Sequence, residues 1–112
     1  MCIRDRDHAK ALYKVLTEGV PGETYNIGAN NEKSNIEVIN LVCSILDKKI
    51  PLREGSYKDL IVFVDDRPGH DFRYAIDSSK IKKELNWAPS ESFETGLEKT
   101  IEWFIENKEW LA

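Results

Sequence analysis

Apolar positions along the chain change spacing several times, and each change marks an element. Over residues 7–18 they fall at helical intervals, with Ala9, Leu12, Val15 and Leu16 on one face. Gly19 then stands where a left-handed C-terminal cap is wanted. Residues 23–27 switch to alternation, with Tyr25 and Ile27 on the same side, and read as a short strand ending at Gly28. Residues 28–31 are loop. Ser34-Asn35-Ile36-Glu37 matches a capping box, the Ser side chain bonding forward and the Glu reaching back. The helix it opens turns Val38, Leu41, Val42 and Ile45 inward and ends near Lys48. Residues 51–58 form a polar loop, and residues 60–64 are a continuous apolar run suited to a strand buried on both faces. Asp77 or Ser78 caps a short helix that runs to Leu85. Asn86-Trp87-Ala88-Pro89 breaks that helix, because the residue before proline disfavours the helical region. Ser92 starts the last helix, which aligns Leu97, Ile101 and Phe104 and leaves Trp103 and Trp110 at its margin. The pattern predicts an α/β chain of helices and short strands with no repeat and no dividing linker.

Composition narrows the class. With 112 residues, 41% of them hydrophobic, the chain can bury one modest core and is a single domain or part of one. The net charge of −4 comes from well-mixed acids and bases. A nucleic-acid binder needs a positive face, so none is expected. No apolar run approaches the roughly 20 residues of a bilayer span, so no membrane partner is expected, and no signal-peptide core is present. Cys2 and Cys43 are far apart, and Cys43 lies inside an apolar helical pattern. Neither a disulfide framework nor a metal site is indicated, and a reducing cytoplasm is the expected compartment.

The chemistry concentrates in Asp66-Arg67-Pro68-Gly69-His70-Asp71, directly after the apolar run. Pro fixes its own φ and Gly tolerates conformations that other residues avoid, so Pro68-Gly69 is a turn. A turn after a strand presents its side chains at the end of a sheet. Arg67 offers a rigid fork of donors suited to phosphate or carboxylate, and His70 adds a donor from the same loop. Two readings stand side by side here: an anion grip, and a surface turn whose charges satisfy one another.

No reaction centre accompanies it. The chain has no G-x-G-x-x-G turn, no G-x-S-x-G nucleophile elbow and no H-E-x-x-H helix. His8 stands alone on its helix and reads as a structural or solvent-facing residue. Asp65 and Asp66 are consecutive, and consecutive strand residues point to opposite faces, so they make no carboxylate dyad. On the residues alone this is a binding surface.

The order of several segments carries a resemblance. Asp7-His8-Ala9-Lys10-Ala11-Leu12, Gly22-Glu23-Thr24-Tyr25-Asn26-Ile27-Gly28, Asn31-Glu32-Lys33-Ser34-Asn35, the stretch from Asp66-Arg67-Pro68-Gly69-His70-Asp71 through Phe72-Arg73-Tyr74-Ala75-Ile76-Asp77, and Leu85-Asn86-Trp87-Ala88-Pro89 occur in that order. Together they resemble the C-terminal part of the nucleotide-sugar enzymes of the extended short-chain dehydrogenase/reductase family, over residues 7–112. The Arg-Pro-Gly turn with its following Asp and the Leu-x-Trp-x-Pro segment are shared across that family. His70 before Asp71, together with the Asn-Glu-Lys-Ser-Asn segment, resembles more narrowly its dehydratases that act on dTDP-glucose.

The resemblance implies the C-terminal substrate-binding portion of a Rossmann-like NAD(P)-binding fold, built of short strands and helices as an incomplete domain. It implies that Asn35 contacts the nucleotide diphosphate, that Arg67 grips the pyrophosphate, and that His70 lies beside it. Asn35 opens a helix, where free amides and the dipole favour an anion, and dispersed diphosphate oxygens suit a guanidinium fork. The implied cofactor is NAD, held by an N-terminal domain that also carries the Gly-rich turn, a Tyr-x-x-x-Lys pair and the acid/base carboxylates. No catalytic or cofactor-binding residue is therefore expected in this chain. The implied reaction oxidises C4 of the glucose, eliminates water across C5–C6 and returns the hydride to C6, a step of dTDP-rhamnose formation in a homodimeric parent. The residues before Asp7 would end a strand in this family. Here Cys2-Ile3-Arg4-Asp5-Arg6 stands instead, so residues 1–6 are expected to be a non-native leader and the chain a fragment. Two alternatives remain open: a sister enzyme such as a UDP-hexose epimerase or UDP-glucuronate decarboxylase, and a non-catalytic nucleotide-sugar-binding module.

Overall fold

The computed structural model describes residues 4–70 and 73–111, which belong to two compact units, Met1–Glu32 with Arg73–Gly96 and Lys33–Phe72 with Leu97–Ala112. Cys2, Asp71 and Phe72 lie outside the described residues.

In the first unit, α1 (Asp5–Glu18) starts two residues before the apolar pattern does, with Arg4 at the N-cap and Asp5 and Asp7 in the first turn, where acidic groups suit free amides. Its inward stripe is Asp7, Ala11 and, in part, Val15. The expected face of Ala9, Leu12, Val15 and Leu16 is thereby corrected: Leu12 is 55% and Leu16 83% exposed. The cause lies far along the chain. The Ser90 hydroxyl donates to Asp7 Oδ1, and the amides of Ser90 (3.0 Å) and Glu91 (3.1 Å) donate to Oδ2. A carboxylate so satisfied can be buried, and it rotates the helix with it. Gly19 is also corrected. Its φ of −67° and ψ of 149° are extended, not left-handed. A Cβ there would meet the Val15 carbonyl oxygen at 2.4 Å, so close approach is what requires glycine.

The second helix of this unit, α3 (Ser79–Leu85), starts after Asp77, whose Oδ1 accepts the Ser79 amide at 2.8 Å. Ser78 instead turns its hydroxyl to Asn30 Oδ1 at 2.9 Å. The helix ends on Asn86 at φ 49°, a left-handed position that Asn tolerates. Ala11, Ile81, Leu85 and Trp87 form the core, with Val15, Tyr25 and Ile27 packed against it. Tyr25 and Ile27 thus share a side as their alternation predicts, yet the expected strand at 23–27 is absent.

In the second unit, α2 (Asn35–Lys49) carries the complete capping box: Glu37 Oε2 accepts the Ser34 amide at 2.7 Å, and Ser34 Oγ accepts the Glu37 amide at 3.4 Å. Cys43 and Ile45 are buried, and Val38, Leu41 and Val42 are partly so. Asp47 reaches from this helix to the Ser56 hydroxyl (2.6 Å) and the Tyr57 amide (2.9 Å), fixing a short 3-10 turn at Tyr57–Leu60. Helix α4 (Phe93–Glu106) follows Ser92, whose Oγ accepts the Thr95 amide at 3.1 Å, and the division between the units falls within it. Its Ile101 is buried, and Lys49 pairs with Glu98 (3.1 Å) and Glu102 (2.6 Å). Phe104 does not join the buried face; it meets Trp103 edge-on at 5.2 Å, and Trp103 meets Trp110 at 5.6 Å beside a final 3-10 turn, Lys108–Leu111.

The expected doubly buried strand at 60–64 is also corrected. Leu60 belongs to the 3-10 turn, and Val62, Phe63 and Val64 are 79%, 81% and 85% exposed. A strand needs hydrogen-bonding neighbours for its backbone, and no strand occurs among the described residues. No helix among them is long and apolar enough to cross a membrane.

Candidate anion-binding site

The turn that follows residue 64 is organised by Asp66. Its Oδ1 accepts the backbone amide of Arg67 at 2.8 Å and the ring Nδ1–H of His70 at 2.8 Å. The His70 ring bond, offset in part by burial and reinforced by the Arg67 amide, holds the Asp66 carboxyl below its ordinary value. Gly69 closes the turn at φ 71°, a conformation glycine enters without strain. The backbone of Arg67 is thereby fixed while its side chain is exposed, and no described residue pairs with the guanidinium. His70 is half-buried against the same loop.

Asn35 is the first residue of α2 and is exposed. The capping box engages the amides of Ser34 and Glu37, leaving other first-turn amides outside its two bonds. Asn35, Arg67 and His70 all lie in the second unit. Arg67 and His70 are brought together through Asp66; no described contact joins Asn35 to their turn. His8 is exposed on α1, in keeping with its solvent-facing reading.

Three features were not visible from motif spacing. Asp66 acts as the hub of the turn. In the first unit, Arg73 Nε (2.8 Å) and Nη2 (2.6 Å) both donate to Glu32 Oε2, beside a cleft of about 470 Å³ lined by residues 30–32 and 74–77. Asn30, at φ 49°, accepts the Ser78 hydroxyl beside the same cleft. The only advance signal was the Asn30-Asn31 pair, since Asn tolerates left-handed backbone. Among the described residues, no group of three or more His, Cys, Asp and Glu side chains is placed to hold a metal ion.

An exposed guanidinium and an imidazole share one preset turn, with a helix start in the same unit, and these are groups whose chemistry suits an anion. The chain belongs to the GDP-mannose 4,6 dehydratase family, whose model matches residues 4–100. Curated relatives narrow the likeness. A dTDP-glucose 4,6-dehydratase of Neisseria meningitidis serogroup B is 55% identical over 98% of this chain and 33% of its own length. One from Escherichia coli is 59% identical over 93% of this chain and 30% of its own. Among solved structures, the dTDP-glucose 4,6-dehydratase of Bacillus anthracis in complex with NAD matches with a TM-score of 0.79 at 45% identity, covering 94% of this chain and 30% of that one. The enzyme of Streptomyces venezuelae, also with NAD bound, matches with a TM-score of 0.83 at 35% identity over 96% of this chain and 31% of that one. The fold class is therefore that of the Rossmann-like short-chain dehydrogenase/reductases. The chain spans about a third of the length of the curated relatives it matches.

Proposed function

We propose that this chain is the nucleotide-diphosphate-holding portion of a dTDP-glucose 4,6-dehydratase, which converts dTDP-glucose to its 4-keto-6-deoxy product. The observation that carries the reading is identity of 55–59% to such dehydratases across 93–98% of the chain. In this reading Arg67 binds the diphosphate as a fork, His70 lies beside it in the same turn, and Asn35 contributes at the start of α2. Together they hold the substrate while its sugar reacts elsewhere.

The residues here do not fit a dinucleotide. The described glycines include no cluster leading from a strand into a helix, the arrangement that brings a pyrophosphate onto backbone amides. NAD is accordingly assigned to the part of the enzyme outside this span, and no catalytic residue is assigned within it. The exposed run at 62–64 supports the same picture: apolar on both faces, it suits pairing into the sheet of the nucleotide domain. A homodimeric, cytoplasmic parent enzyme in dTDP-rhamnose formation is part of this proposal.

The test is substrate choice. A complete enzyme carrying this segment is expected to turn over dTDP-glucose and to leave UDP-glucose and GDP-mannose unconverted, read by formation of the keto sugar. Turnover of a UDP-sugar in preference to dTDP-glucose would move the chain to a sister enzyme of the family.

A further inference from the structure

Asp66 contributes no contact to a ligand in the reading above, yet the turn is built around it. A single oxygen, Oδ1, takes the amide of Arg67 and the ring of His70, one residue on each side of Pro68-Gly69. Closing the backbone over that oxygen places Gly69 at φ 71°, and among the described residues beyond its chain neighbours no atom lies within 4 Å of where a Cβ would stand. Conformation, not space, therefore selects glycine there. An ionised carboxylate only accepts hydrogen bonds, so His70 must carry its proton on Nδ1. Nε2 is left as the ring nitrogen not engaged by Asp66.

We propose that Asp66 is the positioning residue of the diphosphate grip: it holds the Arg67 backbone and ties the Nδ1–H form of the His70 ring back onto the turn, so that the guanidinium meets the ligand preset. This rests on the diphosphate reading of Arg67 and His70. Asp65, one residue earlier, makes no such bond among the described residues and serves as the comparison. Because both bonds end on one oxygen, an asparagine keeps the acceptor in place and removes the charge.

The experiment has two readouts. Nitrogen NMR of His70 in a complete enzyme carrying this segment is expected to show the Nδ1–H tautomer, and Asp66→Ala is expected to shift it toward Nε2–H. In a complete enzyme carrying this segment, Asp66→Ala is expected to raise the KM for dTDP-glucose about tenfold with kcat little changed. Asp66→Asn is expected to recover most of that loss, and Asp65→Ala to leave KM near wild type. An Nε2–H tautomer in the wild type, a tautomer unmoved by Asp66→Ala, or an Asp66→Asn enzyme as impaired as Asp66→Ala overturns the positioning role. If Arg67→Ala also leaves KM unchanged, the diphosphate reading itself fails. If Arg67→Ala raises KM while Asp66→Ala does not, only the role of Asp66 fails.

Discussion

Asp7 is 2% exposed and still charged, which makes it the most consequential single side chain of the first unit. Burial pushes its carboxyl up, but the Ser90 hydroxyl and the amides of Glu91 and Ser90 outweigh that and hold it below its ordinary value. A carboxyl lowered on folding contributes stability that is complete above about pH 5 and fades as pH falls below about 4. Asp7→Ala removes the common acceptor of three donors and is expected to cost about 3 kcal/mol at pH 7. Urea denaturation of wild type and variant at pH 7 and at pH 3.5 checks both statements, since the gap between them should shrink on acidification. A gap that stays constant would assign Asp7 no charge-dependent role. At this scale the sequence was only partly legible. Pro68-Gly69 announced the turn and Arg67 its fork, but the convergence of Arg67 and His70 on Asp66 depends on a backbone path that spacing does not encode. Likewise nothing near Asp7 in sequence points to Ser90 and Glu91.

Helices were the legible elements, because their ends are written in local chemistry. The Ser34 capping box lies within four consecutive residues, and α2 runs where it predicts. Ser34→Ala is expected to destabilise the chain by about 1 kcal/mol, read as a lowered urea midpoint with unchanged slope. Glu37→Ala should lower it as well, because the Ser34 hydroxyl and amide bonds hold the Glu37 carboxyl below its ordinary value. Which face of a helix is buried was less legible. On α1, a distant polar clamp decides the face against the apolar count. Strands were least legible. Residues 23–27 and 60–64 have the composition of strands, but a strand exists only with a hydrogen-bonded neighbour, and the described residues hold none. Alternation still placed Tyr25 and Ile27 on the core side, so the side-chain pattern survived where the ladder did not.

At the scale of the whole molecule, each unit leaves large apolar side chains exposed. Val62, Phe63 and Val64 are all exposed in a row, and Leu12, Tyr13 and Leu16 are exposed on α1. The isolated 112-residue chain is expected to self-associate at micromolar concentration, and Phe63→Lys with Val64→Lys to reduce that association in light scattering. A monodisperse monomer with a sharp thermal transition would instead mark an independent module. The proposed function belongs to a different surface, the Arg67 turn. Its most direct test is the steady-state kinetics of Arg67→Ala in a complete dehydratase carrying this segment. A KM for dTDP-glucose raised about 10- to 100-fold is expected, from a lost charge-assisted contact of about 1.5–3 kcal/mol. Unchanged KM and kcat would contradict it and return Arg67 to an ordinary exposed charge.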